Sequence, residues 1–280
     1  MESMNVFMQH IVDKANGAVA QKPGDYVQDG LLYCGKCHTR KETRLTFLGR
    51  EITMGCLCKC ATEERDREEA ARKQQEKADY IMRLRSSGIA SQQFRNARFS
   101  QDDGQTPGPM KILRRYAENW EQVSRDNVGL LLWGGVGTGK SFGAACIANA
   151  LIERSIPACM VNLSAVLNTL TNFAGDRNRY IGELMQYPLL ILDDFGMERK
   201  TEFATEQIFN LIDERYRSGK PLIVTTNLSV TDLKTPATLE LARCYDRLLE
   251  MCVPVSFGTQ GRRQASAEAK MKKATALLLG

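Results

Sequence analysis

The sequence predicts an α/β chain in which helices cover a parallel sheet, preceded by a small cysteine-rich module. Three observations support this fold class. A glycine-rich loop lies between a short apolar run and a helical pattern within residues 128–154. Further apolar runs, separated by helical patterns as in sheets built from crossover helices, recur at 158–161, 189–192, 222–226 and 253–257. Five of the nine cysteines fall within residues 34–60, which favours a local metal site over disulfides.

Composition limits the possible class and location of the protein. The chain has 280 residues, of which 43% are apolar and 25% charged, as in ordinary globular proteins with one large domain and a small one. No apolar run approaches the roughly 18 residues of a membrane helix. The first residues also lack the basic-then-apolar layout of a secretory signal. We therefore expect a cytoplasmic protein with no membrane partner.

The first structured element is predicted after a loop near residue 30. Turn-forming residues mark this loop, namely Gly24, Asp25, Asp29 and Gly30. A β-hairpin is predicted at residues 43–53, where two alternating stretches flank Leu48-Gly49-Arg50. Two groups of cysteines bracket this hairpin, which can bring them together.

The bracketing cysteines indicate a structural zinc site. Cys34 and Cys37 place two thiolates on one tight turn, and a second pair folded back by the hairpin can complete a tetrahedron around Zn²⁺. We select Cys58 and Cys60 as that pair because they abut the next helix. The alternates are Cys56 and His38. A redox C-x-x-C pair or free thiols are the other interpretation, but a module this poor in large apolar residues needs a metal to fold.

A charged helix and a linker separate this cysteine module from the rest of the chain. Residues 61–87 carry seven basic and seven acidic side chains, and Gly88 ends the pattern. Residues 89–109 are rich in glycine, proline and aspartate and predict a linker, after which a helix resumes at 110–123. The predicted domains are a zinc-binding module at 1–62, a charged helix and linker at 63–109, a nucleotide-binding domain at 110–265 and a basic tail at 266–280.

Residues 134–141 fit the phosphate-loop pattern G-x-x-x-x-G-K-[ST], with a predicted strand at 128–133 before it and a predicted helix at 142–154 after it. Glycines allow backbone N–H groups to surround phosphate oxygens, and the helix N-terminus adds a favourable field. We expect Lys140 to bind the β- and γ-phosphates and the Ser141 hydroxyl to bind Mg²⁺. The predicted ATP-binding residues are Gly134, Gly135, Val136, Gly137, Thr138, Gly139, Lys140, Ser141 and Phe142.

Two later strands end in polar residues that suit a nucleotide site. Four apolar residues at 189–192 precede Asp193 and Asp194. Asp193 is expected to hold Mg²⁺ through water, and Asp194 to orient or deprotonate the attacking water. The strand at 222–226 ends at Asn227, which is placed to contact the γ-phosphate or to cap a turn.

These segments in this order resemble a known family. The motifs are GGVGTGKS, LLILDDFG, IVTTN, CYDRLLE and VSFGTQGRR. Together they resemble the ATPase domain of DnaC-type bacterial and phage replicative helicase loaders, members of the AAA+ class, over about residues 88–265. The cysteine module is similar to the zinc-bearing N-terminal domains of some of these loaders.

The resemblance implies roles that the pattern alone does not. It implies that Asn227 is sensor 1, that Arg247 is an arginine finger acting on the neighbouring subunit, and that Arg263 is sensor 2, with Arg262 as the alternative. It also implies that the N-terminal domain binds a hexameric DnaB-type helicase, that the ATPase domain contacts single-stranded DNA, and that copies of the chain assemble on ATP and DNA. Position 194 is Asp where most AAA+ proteins have Glu, which predicts slow hydrolysis suited to a switch. Gly261 replaces a small hydroxyl residue, which leaves Arg262 and Arg263 both open.

Other expectations concern DNA contact and rival functions. Residues 173–180 and 199–203 mix basic and aromatic side chains that can bind a single strand, although an ordinary helix-to-loop surface is the alternative for each. Basic residues also exceed acidic ones in residues 262–273, which suits nucleic acid or a solvated terminal helix. The rival functions are an IstB-like transposition ATPase acting on target DNA and a nucleotide-gated zinc adaptor without meaningful turnover.

Overall fold

Two short antiparallel hairpins open the described part of the chain. A computed structural model describes residues 19–47, 49–172, 177–197, 201–236, 238–259, 261, 271 and 275. Strands β1 (Tyr26–Gln28) and β2 (Leu31–Tyr33) form the first hairpin, and β3 (Glu42–Phe47) and β4 (Arg50–Gly55) form the second. The second hairpin confirms the one predicted at residues 43–53.

The first hairpin corrects the loop predicted around residue 30. Asp29 and Gly30 form its two-residue turn, with φ angles of 52° and 70°. An Asp-Gly dipeptide favours this turn because Gly has no steric penalty at positive φ and Asp tolerates it. The signal was therefore present in the sequence, but the flanking strands are only three residues long.

A long charged helix, α1 (Lys59–Gly88), follows the hairpins, as the charge pattern predicts. Pairs one turn apart, such as Glu69 with Lys73 at 2.7 Å, line its exposed surface. The chain divides into two compact units, one ending at Ala78 and the other beginning at Asp79, so the boundary falls inside this helix. We call the second part the C-terminal unit.

The segment predicted as a linker belongs in part to the core of the C-terminal unit. Ile89 is fully buried and forms a parallel bridge with Met160. Short 3-10 helices lie at Gln92–Phe94 and Phe99–Gln101. Glycine and proline dominated the pattern here, and the buried apolar residues between them were too widely spaced to indicate packing.

Helix α2 (Pro107–Glu118) and helix α3 (Trp120–Arg125) replace the single helix predicted at 110–123. Asn119 separates them, and its side chain donates a hydrogen bond to the Arg115 carbonyl. The predicted apolar face is present, because Leu113 and Trp120 are both buried. The break changes the helix count without changing which side faces the core.

Five parallel strands form the sheet of the C-terminal unit. They are β5 (Gly129–Trp133), β6 (Ala158–Asn162), β7 (Leu189–Phe195), β8 (Leu222–Thr226) and β9 (Cys252–Ser256). Their order across the sheet is β6-β7-β8-β5-β9. Every predicted strand is therefore present, and their carboxyl ends lie at one edge, where ligands of such sheets bind.

Helices cover both faces of this sheet. They are α4 (Lys140–Glu153), α5 (Leu163–Asn172), α6 (Arg177–Gln186), α7 (Glu202–Arg217), α8 (Val230–Lys234) and α9 (Leu239–Met251). Alternate strand residues enter two separate cores: Leu130 and Leu132 pack into one, and Leu131 into the other. None of the helices in the described ranges is long and apolar enough to cross a bilayer.

Buried Arg215 ties helix α7 to the beginnings of two strands. Its guanidinium donates to the carbonyls of Tyr187 and Pro188 at 2.9 Å each, just before β7, and to that of Pro221 before β8. Burial lowers the pKa of Arg215 to about 10. Backbone carbonyls thus replace the carboxylate partner that a buried arginine usually needs.

Candidate nucleotide site and cysteine cluster

The phosphate loop joins β5 to α4 and is fixed by the segment that follows β9. Gly135 donates its backbone N–H to the Gly258 carbonyl at 2.8 Å. Gly134 has a φ of 142°, and a Cβ there would lie 2.5 Å from the Gly258 oxygen. The loop therefore needs glycine at 134 both for its backbone conformation and for its close approach to the next chain segment.

Three other residues of the predicted ATP-binding set differ in how far they are buried. Thr138 is buried, and its hydroxyl donates to the Gly135 carbonyl at 3.0 Å. Phe142 packs against the apolar core beneath α4. Val136 is 63% exposed at the tip of the loop. Thr138 and Phe142 therefore hold the loop, whereas Val136 faces outward.

Lys140 is buried at the centre of the site. Its ammonium group donates to the carbonyls of Gly134 at 2.9 Å and Gly135 at 2.6 Å. It also donates to Oδ1 of Asn227 at 2.9 Å. The predicted phosphate-binding lysine and the predicted sensor are thus in direct contact, although 87 positions separate them in the sequence.

Asp193 meets the loop through Ser141. The Thr225 hydroxyl donates to Oδ1 of Asp193 at 2.6 Å. Burial raises the pKa of Asp193, while hydrogen bonds from Thr225 and Ser141 oppose that rise. A hydroxyl and a carboxylate in contact offer the hard oxygen ligands that Mg²⁺ takes in proteins, so the two predicted magnesium residues fit this ion.

Asp194 lies in a strained conformation beside Asp193. Its φ is 60°, in the left-handed region that costs a non-glycine residue about 1–2 kcal/mol. The pairing of β7 with β8 is irregular between Leu192 and Phe195, the interval that contains Asp194. The Thr225 hydroxyl accepts the Asp194 backbone N–H at 3.0 Å. Such strain persists only where surrounding contacts fix it, and it is often found at functional sites.

Asn162 holds the Asp194 carboxylate. Its Nδ2 donates to Oδ2 of Asp194 at 3.1 Å, and its Oδ1 accepts the Ala165 backbone N–H at 3.3 Å. The amide is therefore fixed at both ends, from the last position of β6. Asn162 and Thr225 carry no functional signal in the sequence, because each is an ordinary polar residue at the end of an apolar run.

Arg247 is bound within its own chain. It forms an ion pair with Asp213 of α7, and its guanidinium lies over the rings of Phe209 at 4.8 Å and Tyr216 at 5.7 Å. Asp213 also pairs with Arg217 at 2.9 Å. The side chain of Arg247 remains 27% exposed. Arg262 and Arg263, the predicted sensor 2 residues, lie outside the described residues.

Four cysteine sulfurs gather in the cysteine module. The Sγ atoms of Cys34, Cys37, Cys58 and Cys60 lie within 4.8 Å of one another. Cys60 lies 3.5 Å from Cys34 and 3.4 Å from Cys58, measured between sulfurs. A tetrahedral zinc site with bonds of about 2.3 Å needs sulfurs roughly 3.8 Å apart, so the cluster fits Zn²⁺.

The two rejected alternates lie outside this cluster. Cys56 directs its thiol to the Arg40 carbonyl at 3.5 Å. His38 places Nδ1 at 3.3 Å from the Tyr26 hydroxyl. The cluster therefore contains the four cysteines selected from the sequence.

The two segments proposed for DNA contact meet in part. The guanidinium of Arg177 lies 5.2 Å from the centre of the Phe203 ring, which joins α6 to the start of α7. Residues 173–176 and 199–200 of these segments lie outside the described residues. The structure therefore places one cation beside one aromatic ring, from two segments that are distant in the sequence.

Comparison with known proteins gives a family and several relatives. Residues 61–269 match the family described as IstB-like ATP binding protein. The replicative helicase loader DnaI of Bacillus subtilis (strain 168) is 25% identical over 205 residues, which cover 68% of this chain and 65% of that protein. Rv3427c, a putative ATP-binding protein in an insertion sequence of Mycobacterium tuberculosis, is 34% identical over 100 residues, 35% of this chain and 40% of that protein. Each match spans less than two thirds of the relative.

Solved structures show the same fold. A crystal structure of DnaI superposes with a TM-score of 0.53 at 22% identity, covering 64% of this chain and 99% of that one. The predicted AAA+ sheet is thereby confirmed.

Proposed function

The chain belongs to the IstB-like ATP binding protein family, and on that premise we propose that it loads a hexameric replicative DNA helicase onto single-stranded DNA in an ATP-dependent way. The observation that carries this proposal is the extent of the similarity to a helicase loader. It covers 68% of this chain, whereas the similarity to the insertion-sequence protein covers 35%. The four-cysteine cluster, on the same chain as the phosphate loop, supports a separate docking module.

In this proposal Lys140 takes up the phosphates of ATP. Its ammonium group already contacts three oxygens, two of them loop carbonyls. Phosphate oxygens carry more charge than carbonyls and form stronger hydrogen bonds with an ammonium group. Exchange of the Asn227 contact for the γ-phosphate would let Asn227 report on whether that phosphate is present.

Hydrolysis is assigned to the two acids of β7. Ser141 and Asp193 would hold Mg²⁺, and the ion would supply charge neutralisation for the transferred phosphoryl group. Asp194 orients the attacking water and accepts its proton, and Asn162 holds that carboxylate by a hydrogen bond before the reaction. Since Asp is one methylene shorter than Glu, we expect slow turnover suited to a switch.

Completion of the site requires a cation from the next copy of the chain, and we assign that role to Arg247. Within its own chain Arg247 is held by Asp213 and two aromatic rings. Assembly on ATP would exchange the Asp213 carboxylate for the γ-phosphate of the neighbouring site, because an arginine there stabilises the transferring phosphoryl group. Sensor 2 stays assigned to Arg263, with Arg262 as the alternative.

Two surfaces are assigned to partners. The cysteine module, built around Zn²⁺, binds the helicase. In the C-terminal unit, Arg177 neutralises DNA phosphate while Phe203 offers a ring on which a base can stack. The single strand passes along α6 and the start of α7.

The test is transfer of the helicase encoded in the same genome to a single-stranded oligonucleotide coated with single-strand-binding protein. The proposal expects transfer with ATP, none with Lys140→Ala, and slow release of the chain with Asp194→Asn. Failure to form a complex with the helicase would contradict the loader function. If Lys140→Ala abolishes function while Asp194→Asn leaves it unchanged, the chain is a nucleotide-gated adaptor without required turnover.

A second function is favoured by the family itself and by the 34% identity to the insertion-sequence protein. In this case the chain would act on duplex target DNA for a transposase. Competition between duplex and single-stranded DNA of equal length separates the two functions. The loader requires the single strand to win, and a clear duplex preference supports the transposition ATPase.

A further inference from the structure

A cavity of about 280 Å³ lies at the carboxyl end of β6, beside the acids of the nucleotide site. Its walls come from the segment after α1, from β6 and from helices α5 and α6. The residues that matter for its chemistry are Phe94, Met160, Asn162, Ala165, Val166 and Tyr180. Asp193 also borders it, so the cavity reaches the predicted magnesium site from the side of the edge strand.

The lining combines aromatic and apolar walls with one amide. Phe94 and Tyr180 supply rings, and both are half-buried. Asn162 supplies the amide, which is the one that holds Asp194 at 3.1 Å. Volume limits what can enter, because pockets for drug-sized ligands measure about 300–1,000 Å³. A planar ring system of the size of one nucleobase fits this cavity.

We propose that this cavity receives one base of a bound single-stranded nucleic acid. The inference rests on the proposed function, which brings a single strand along α6. Tyr180 lies on that helix, three residues after Arg177 and next to Arg179, so the backbone has cations outside while a base turns inward. Extruded bases are typically stacked between aromatic or apolar side chains and read through hydrogen bonds to their polar edge.

Occupancy of the cavity would change the nucleotide site. A base edge carries donors and acceptors that compete for the Asn162 amide. When Asn162 bonds to the base, the Asp194 carboxylate loses the hydrogen bond that now fixes it. Asp194 is then free to turn toward the attacking water, so strand binding would be coupled to hydrolysis through a single side chain.

The experiment compares an oligothymidylate with an otherwise identical strand that carries abasic sites. Both present the same phosphates, but only one can fill the cavity. The inference expects ATP hydrolysis to be stimulated severalfold by the intact strand and left at its basal rate by saturating abasic strand. Equal stimulation by both strands would overturn it, while failure of both strands to bind would contradict the proposed function and the inference together.

A pair of variants separates the cavity from the rest of the DNA surface. Ala165 lines the cavity and is exposed, so Ala165→Phe can fill the space without disturbing the core. Asn168→Phe places the same ring on an exposed position of the same helix as the matched control. Stacking on aromatic residues corresponds to roughly five- to 150-fold in affinity per base.

Ala165→Phe is therefore expected to remove the affinity difference between intact and abasic strands and the stimulation of hydrolysis, with ATP binding retained. Fluorescence of 2-aminopurine in the strand gives an independent readout, since a stacked base is quenched. Quenching that is equal in Ala165→Phe, Asn168→Phe and the unaltered chain would overturn the proposal.

Discussion

The cysteine module and the C-terminal unit reach a folded structure by different means. In the C-terminal unit the strands present side chains such as Leu131 and Val224 that are completely buried. Within described residues 19–58, the buried aliphatic side chains are limited to Leu31, Leu32 and Ile52. Apolar burial can therefore stabilise the C-terminal unit, and we infer that the cysteine module needs a metal bound by its four cysteines. This difference predicts that each unit fails under a different perturbation.

Metal removal has the largest expected effect. Structural Zn²⁺ contributes about 10–16 kcal/mol of apparent binding energy, which small domains use to fold. A chelator, or Cys58→Ser, should remove hydrogen-exchange protection from residues 19–58 and leave that of the five-stranded sheet unchanged. Cys56→Ser is the matched control and should keep both protection and zinc content, because Cys56 lies outside the cluster. Full protection of the module without metal would contradict this account.

Loss of Arg247 is expected to change activity without unfolding either unit. Arginine fingers contribute about 10³–10⁵ in rate, so Arg247→Ala should reduce hydrolysis by about 10³-fold while ATP affinity stays within about twofold. Measurements of turnover and of nucleotide binding on the same preparation decide this. Arg243→Ala removes an exposed cation one turn earlier on α9 and should have little effect. Loss of ATP binding in Arg247→Ala would show that the residue serves the fold of its own chain.

A cavity in the sheet should destabilise the C-terminal unit alone. Leu131 is 0% exposed, and Leu131→Ala is expected to lower the free energy of unfolding of this unit by about 2–5 kcal/mol. Leu239, 67% exposed, provides the control, since Leu239→Ala should change it by less than about 0.5 kcal/mol. Denaturant unfolding followed by tryptophan fluorescence measures both. Equal losses for the two variants would mean that burial in the sheet does not set the stability.

The smallest expected effect concerns Asn162. Asn162→Ala removes one hydrogen bond to Asp194, which corresponds to about 0.5–1.5 kcal/mol, so basal hydrolysis should change by roughly two- to tenfold. We expect an increase, because the hydrogen bond from Asn162 restrains the Asp194 carboxylate from turning toward the attacking water. Nucleotide affinity should stay the same, and a decrease in turnover or a change in affinity would contradict the role assigned to Asn162.

The sequence predicted the sheet well because buried parallel strands are continuous apolar runs. All five strands appear within about three residues of their expected ends, and β8 matches at both ends. The phosphate loop was equally predictable from the sequence, because close contact between its backbone and phosphate requires particular residue types. The selection of Cys58 and Cys60 rested on their position directly before a helix.

Contacts between distant segments could not be predicted from the sequence in the same way. Asn162, Thr225 and Asp213 act through partners about 30 positions away, and the single sequence contains no signal for such pairs. Arg247 is predicted as an arginine finger that acts on a neighbouring subunit. In the structure it forms an ion pair with Asp213 of its own chain. The loop predicted near residue 30 is wrong for a different reason. The Asp29-Gly30 dipeptide is itself a signal for a two-residue hairpin turn, and such a turn is what the structure contains.

We propose that ATP at the phosphate loop times the delivery of a helicase held by the cysteine module. Counting helicase hexamers placed on protein-coated single strands tests this proposal, with zinc-loaded chain, zinc-depleted chain and Lys140→Ala in parallel. We expect delivery by the zinc-loaded chain with ATP, a helicase complex without delivery for Lys140→Ala, and no complex at all for the zinc-depleted chain. Normal delivery by the zinc-depleted chain, or by Lys140→Ala, would contradict it.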